Sequence, residues 1–126
     1  MSYIRADVLS AANGTSATTL TGQVAAKGWI NYNGSSPAVR ASFNISSVTK
    51  NGTGYYDINF QNAHVDANYG CSGVGGPGND PPTGDLRIII LAQASSRTAS
   101  VCRIGTTYSN GAGGYDLPDI HMSFFR

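Results

Sequence analysis

The stretch KGWINYNGSSPAVRASFNISSVTKNGTGYYDINF, residues 27–60, decides the fold. Runs of strand-forming residues alternate in it with the Gly, Asn and Ser that are typical of turns. The pattern predicts three consecutive strands, at 29–33, 39–49 and 55–62. Lys50–Gly54 lies between the last two strands and is typical of a β-hairpin, because it supplies glycine where the backbone needs a positive φ.

Apolar side chains recur at every second position of the second and third strands, so each strand presents one apolar face. In the second strand this face comprises Val39, Ala41, Phe43 and Ile45. In the third it comprises Tyr56, Ile58 and Phe60, and we expect Trp29 to reach the same buried face from the first strand. A strand pair with one buried face predicts an antiparallel β-sandwich.

The same stretch resembles a module of bacteriophage and prophage tail fibres. The resemblance lies in Lys-x-Trp-x-x-Tyr-Asn-Gly at 27–34, Ser-Phe-Asn-x-Ser-Ser at 42–47 and Asn-Gly-Thr-Gly-x-Tyr at 51–56. It covers about residues 24–69 and leaves 70–126 as a part that varies with the host. It implies a module on the virion surface near the distal end of a fibre, usually a homotrimer, and it brings no catalytic residues.

Composition favours a single all-β domain over residues 1–126. Charged residues make up only 12% of the chain, all seven acids are Asp, and good helix formers are scarce. A formal net charge of +1 gives no electrostatic footprint for nucleic acid. No apolar run approaches a membrane span, and the N-terminus lacks the pattern of a signal peptide, so we expect synthesis in the bacterial host cytoplasm and release by lysis.

The rest of the chain predicts further strands, which bring the total to about nine. They are 3–10, 17–26, 69–74, 86–94, 98–106 and 120–126. The strand at 86–94 is apolar on both faces, so we expect one face to contact the core and the other to contact another subunit. Cys71 and Cys102 could form a disulfide, but cytoplasmic assembly favours two free thiols.

The two longest connections carry the candidate ligand-binding residues. If consecutive strands alternate in direction, the Gly75–Asp85 loop, the Thr107–Asp119 loop and the Lys50–Gly54 hairpin lie at one end of the sandwich. Aromatic rings cover the apolar faces of sugars, and Asn and Asp bind their hydroxyl groups. The candidates are Asn79, Asp80, Tyr108, Asn110, Tyr115, Asp116 and Asp119. The alternative for Tyr108 and Tyr115 is that they only pack their loop.

Other chemistry finds weaker support. His121 lacks the His-x-His spacing of a trimeric metal site, and a Ca²⁺ site would require Asp80, Asp85, Asp116 and Asp119 to converge. Glycoside hydrolysis would need Asp116 to pair with Asp80 or Asp85 on glycine-rich loops, which are poor supports for catalytic geometry. The Gly73–Gly78 match to G-x-G-x-x-G is not followed by a helix pattern. We therefore expect no metal, no cofactor and no enzymatic activity.

These observations predict a receptor-binding tip of a phage tail fibre, which attaches the virion to a surface polysaccharide or protein of the host. The expected partners are two further copies of the chain and the virion subunit that carries it. The alternative is a structural virion protein, such as a capsid decoration or head-fibre knob, that binds other virion subunits. The short chain favours that alternative, because 126 residues leave no room for a fibre shaft.

Overall fold

The computed structural model describes residues 26–76, 87–91, 97–108 and 113–126. These residues form eight β-strands and no helix. The strands are β1 (Ala26–Asn33), β2 (Ala38–Phe43), β3 (Ile45–Gly52), β4 (Tyr55–Phe60), β5 (Gly70–Gly76), β6 (Arg87–Leu91), β7 (Val101–Tyr108) and β8 (Asp119–Phe125). They make two antiparallel sheets, which we call sheet 1 (order β2-β1-β8-β5) and sheet 2 (order β3-β4-β7-β6). The all-β prediction is confirmed.

The core lies between the two sheets and is supplied by alternate residues of their central strands. β4 contributes the side chains that its alternation predicts, and β8 contributes every second residue in the same way. The buried apolar residues are Ile30, Tyr32, Tyr56, Ile58, Phe60, Tyr69, Cys102, Ile104, Leu117, Ile120, Met122 and Phe124. Five of these residues, Tyr32, Tyr56, Phe60, Tyr69 and Phe124, have rings that make edge-to-face contacts, with the Phe60 and Phe124 centroids 4.9 Å apart. The two sheets thus share one core.

The strand predicted at 39–49 is in fact two strands, β2 and β3, that belong to different sheets. The chain changes sheet at Asn44, the non-glycine residue of the described part with a positive φ, 57°. Asn44 Nδ2 donates to the carbonyls of Lys27, at 2.8 Å, and Asn62, at 3.1 Å, and Asn44 Oδ1 accepts from the Asn62 N–H at 2.8 Å. These contacts hold the two sheets together at the crossover.

The change of sheet makes the predicted burial of β2 wrong. Val39 and Phe43 are 44% and 56% exposed, because β2 is an edge strand and β3 lies in the opposite sheet. Trp29 was expected in the core but is 40% exposed, and its neighbours Ile30 and Tyr32 are buried instead. The predicted parity is therefore wrong for β1 and right for β4, and the buried face predicted for β2 does not exist, because all six residues of β2 are exposed.

Two further expectations are corrected at the ends of the chain's longer connections. β5 extends through Gly76, two residues into the stretch predicted as loop, and it pairs there with Asp119 of β8. Leu91 of β6 is 45% exposed, so burial of both faces fails at that position. The strand predicted at 3–10, and all but Ala26 of the one predicted at 17–26, lie outside the described residues. The described residues thus form eight strands. The prediction of about nine counted β2 and β3 as one strand and included two strands that lie almost wholly outside the described residues.

Candidate functional site

Several connections meet at one end of the two sheets, which we call the loop end. It comprises the 33–38 turn, the 52–55 turn, the last residue of β5, the first residue of β6 and the segment from the end of β7 to the start of β8. In register, Gly76 pairs with Asp119 and Arg87 pairs with Tyr108. We predicted that the hairpin and the two long connections lie at one end of the sandwich. The described residues that flank them do lie together at the loop end. Residues 77–86 and 109–112 themselves lie outside the described part.

Asp116 is the hub of the loop end. Its carboxylate accepts hydrogen bonds from Tyr56 Oη at 2.5 Å, from the Gly54 N–H at 2.8 Å and from Lys50 Nζ at 2.5 Å. Burial alone would raise the pKa of Asp116, but the bonds from Lys50, Tyr56 and Gly54 outweigh it and hold that pKa below its usual range. Burial and the bond to Asp116 together raise the pKa of the Tyr56 hydroxyl. Asp116 is thus an ionised anchor between the hairpin and the 113–119 segment.

Backbone bonds complete the same anchor. The Thr106 N–H donates to the Gly54 carbonyl at 2.7 Å, and the Tyr115 N–H donates to the Thr106 carbonyl at 2.9 Å. Gly54 has a φ of +74°, and a Cβ there would stand 2.6 Å from the Tyr115 nitrogen, so both the turn and the close approach require glycine. Tyr115 is partly buried and packs against the core.

Asp119 lies apart from this anchor, at the first position of β8. It forms an ion pair with Arg40, whose guanidinium also donates to Asn31 Oδ1 at 3.2 Å and to the Pro118 carbonyl at 2.8 Å. Both partners are more than a third exposed, so the pair orders the surface more than it stabilises the fold. The bond network fixes the rim of the loop end beside sheet 1.

The structure therefore separates the predicted site residues into four groups. Asp116 and Tyr115 belong to the anchor, and Asp119 belongs to the rim. Tyr108 ends β7, with only its backbone described. Asn79, Asp80 and Asn110 lie outside the described residues, as does Asp85. The predicted ligand contacts of all seven candidates stay predictions.

Within the described residues, no group of three His, Cys, Asp or Glu side chains is arranged to hold a metal ion. His121 is exposed on β8. His64 is buried, stacks on Tyr69 at 4.4 Å between centroids, and leaves its Nε2 without a hydrogen-bond partner. Gly73–Gly76 of the G-x-G-x-x-G match are strand residues paired with β8, not the start of a helix.

The outer face of sheet 1 was missed by sequence reasoning. One row of residues in register crosses the whole sheet, and its members are Phe43, Trp29, Ser123 and Ser72. Beside it, Ser72, Gly73, Val74, His121 and Ser123 line a shallow groove of about 230 Å³. The adjacent, exposed rings of Trp29 and Phe43 form an apolar patch of the kind found at protein interfaces. The signal that could have revealed it is Asn44, whose tolerance of positive φ allows the crossover that exposes β2.

Comparison of the chain with protein-family models, with curated proteins and with solved structures finds no match. Among the described residues there is no helix of the length and apolarity that a membrane crossing requires.

Proposed function

We propose that this chain is the receptor-binding tip module of a phage tail fibre, exposed on the virion as a homotrimer and binding a surface polysaccharide of the host cell. The proposal rests on the resemblance of residues 24–69 to tail-fibre modules and on the construction of the loop end. Assembly takes place in the bacterial cytoplasm, and the partners are the fibre shaft, two further copies of the chain and the host glycan. The proposal includes neither nucleic acid nor membrane insertion.

The observation that carries it is the anchored loop end. The connection 109–118 joins β7 to β8, and Asp116 within it is bonded to the 52–55 turn and its flanking strands. The connection 77–86 begins after Gly76 and ends before Arg87, which pair in register with Asp119 and Tyr108 at the two ends of 109–118. Variable loops on a rigid support are the usual way for a β-sandwich to present a binding surface. Polysaccharide fits the composition of these connections, because their sequences supply an aromatic ring at Tyr108 and polar groups at Asn79, Asp80 and Asn110.

The chemistry of the anchor supports binding without catalysis. A glycosidase acid must hold a proton near neutral pH, which requires a raised pKa. Asp116 has a lowered pKa and three donors on its carboxylate, so it is unsuited to that role. In the proposed site Asp116 and Tyr115 support the loops, and Asp119 with Arg40 frames them.

The test is binding of the purified chain to a panel of whole bacteria and to their purified lipopolysaccharides and capsular polysaccharides. Tyr108→Ala/Asn110→Ala changes the loops and leaves the anchor intact, whereas Val65→Ser alters an 87% exposed residue at the opposite end and serves as the control. We expect the loop variant to lose at least about tenfold in affinity and the control to bind as the wild type. Equal binding by all three proteins would exclude the loop end as the receptor site.

A second candidate function is a structural virion protein, a capsid decoration or head-fibre knob, that binds other virion subunits. The exposed Trp29 and Phe43 favour it, because an apolar aromatic patch is better suited to binding a protein than to binding a polysaccharide. Absence of binding to every cell and glycan, together with binding to disrupted virions that a Trp29→Ser change abolishes, would favour this candidate over the first.

A further inference from the structure

Two thiols from opposite sheets meet inside the sandwich. Cys71 of β5 pairs in register with the fully buried Phe124, and Cys102 of β7 pairs with the buried Ile58. Both cysteines therefore point inward, each from its own sheet. The two thiols are free, and each has the largest effect on the pKa of the other, as expected of side chains that face one another across the core.

The two thiols differ in access to solvent. Cys71 lies on an edge strand and is partly exposed, whereas Cys102 has an exposed fraction of 0%. Arg97 lies close to both cysteines. Its backbone forms an isolated β-bridge with that of Cys102, and its guanidinium lies 5.4 Å from the centre of the Tyr69 ring. A small reagent can thus reach Cys71 and is blocked from Cys102.

The electrostatics make Cys71 the nucleophile. Cys102 and, to a smaller extent, the charge of Arg97 together lower the pKa of Cys71 to about 7 against the opposing effect of burial. Cys71 and burial raise the pKa of Cys102. The thiolate is the reactive form of cysteine, so Cys71 reacts first and Cys102 holds its proton until it does.

We propose that Cys71 and Cys102 form a redox-active dithiol, a site that accepts a small disulfide such as oxidised glutathione and closes into a disulfide between the two sheets. The inference is independent of the proposed function. It depends on two thiols that face one another from opposite sheets, one accessible and one buried, and it assigns a separate role to each.

The exchange balances in two steps. The Cys71 thiolate attacks one sulfur of the small disulfide, forms a mixed disulfide and releases one thiolate. The interaction with Cys71 is the largest cause of the raised pKa of Cys102, and it is lost when the Cys71 thiolate has reacted. The Cys102 proton then passes to the released thiolate. The Cys102 thiolate then attacks Cys71 Sγ and expels the second small thiolate, which takes a proton from solvent. Two protein thiols are oxidised and one small disulfide is reduced to two thiols.

The cross-link would change the stability of the fold. It would tie β5, an edge strand, to β7, which is central in sheet 2. It would also close the part of the chain that contains residues 77–86. Closure of a loop of this length raises the midpoint of thermal unfolding by roughly 10 °C in a small domain.

The test is incubation of the folded chain with oxidised glutathione, followed by intact mass measurement and non-reducing peptide mapping. We expect the wild type to lose the mass of two hydrogen atoms and to yield a peptide that joins Cys71 to Cys102. Cys102→Ala should stop at the glutathione adduct on Cys71, because the resolving thiol is absent. Cys71→Ala should stay unmodified, because Cys102 is inaccessible.

The result on the wild type is sufficient to overturn the proposal. A lasting glutathione adduct on the wild type, or two thiols that stay reduced in the native protein and oxidise only after unfolding, would contradict it. Modification of Cys71→Ala at the wild-type rate would contradict the assigned roles. Circular dichroism melting of each variant verifies that the alanine substitutions leave a cooperatively folded chain.

Discussion

A single carboxylate, that of Asp116, organises the end of the molecule on which the proposed function depends. Sequence reasoning selected Asp116 because Asp on a loop beside Tyr115 suits a sugar ligand. Its actual partners, Lys50, Gly54 and Tyr56, precede it by some 60 residues and lie on β3, on β4 and in the turn between them. Long-range contacts of this kind leave no local pattern, so the residue could be found from the sequence and its role could not.

Replacement of Asp116 by Asn is expected to destabilise the fold by about 1–3 kcal/mol, because one carboxamide oxygen cannot serve three donors and the buried Tyr56 hydroxyl loses a charged acceptor. Urea denaturation measures the change. Asp119→Asn is the matched control, since its pair with Arg40 is exposed and should contribute less than about 1 kcal/mol. Equal loss in both variants would contradict the anchor.

His64 should make stability depend on pH. Burial lowers the pKa of His64, and the charges of Arg126 and Lys27 act in the same direction. The unfolded chain therefore binds a proton before the folded one does as the pH falls. Stability is fully present above the unfolded value of about 6.5 and is lost as the pH decreases from there towards the folded pKa, by at most about 1.4 kcal/mol per pH unit.

Urea midpoints between pH 7.5 and pH 5 measure this slope. His64→Phe keeps a ring against Tyr69 and removes the titrating group, so we expect the slope in this range to flatten. His121→Gln, a change at an exposed histidine, should keep it. A slope that persists in His64→Phe would assign the effect to another group.

At the scale of elements, the sequence predicts strands wherever one face stays buried along the whole run. β4 follows its alternation and turns at Gly54 as expected. The predicted 39–49 strand fails, because the apolar alternation continues through Asn44 while the chain changes sheet there. No Gly or Pro marks the break, and the groups that stabilise it, at Lys27 and Asn62, are distant in sequence. Alternation reports which residues share a face but not which sheet the face belongs to.

Two substitutions separate the contributions of Asn44. Asn44→Gly keeps the positive φ and loses the side-chain bonds, whereas Asn44→Ala loses the bonds and also places a Cβ in the left-handed region. We expect losses of about 2 and about 3 kcal/mol, respectively, in the free energy of unfolding. Chemical denaturation measures both, and Ser42→Ala, at an exposed position nearby, should change stability little. Identical losses would show that the hydrogen bonds alone set the cost.

At the scale of the whole molecule, the order of connections was predictable and the surface was not. The strands after Lys50 were counted correctly, so the hairpin and the anchors of both long connections lie at the loop end as expected. The error lay upstream, where one predicted strand became two and β2 moved to the edge of sheet 1. That error hid the outer face of sheet 1, on which Trp29 and Phe43 are exposed.

The proposed homotrimer can be tested on this patch. Trp29 and Phe43 are neighbours in register and 40% and 56% exposed, and buried aromatic side chains usually dominate the affinity of a protein interface. If the outer face of sheet 1 joins the subunits, Trp29→Ser/Phe43→Ser should shift the oligomer towards monomer by at least about a hundredfold in dissociation constant, as measured by light scattering across a concentration series. Tyr55→Ser removes a ring with 46% exposure from sheet 2 and should leave the assembly intact. A wild-type chain that stays monomeric at micromolar concentration would count against the trimer, and dissociation caused equally by Tyr55→Ser would show that the contact lies elsewhere.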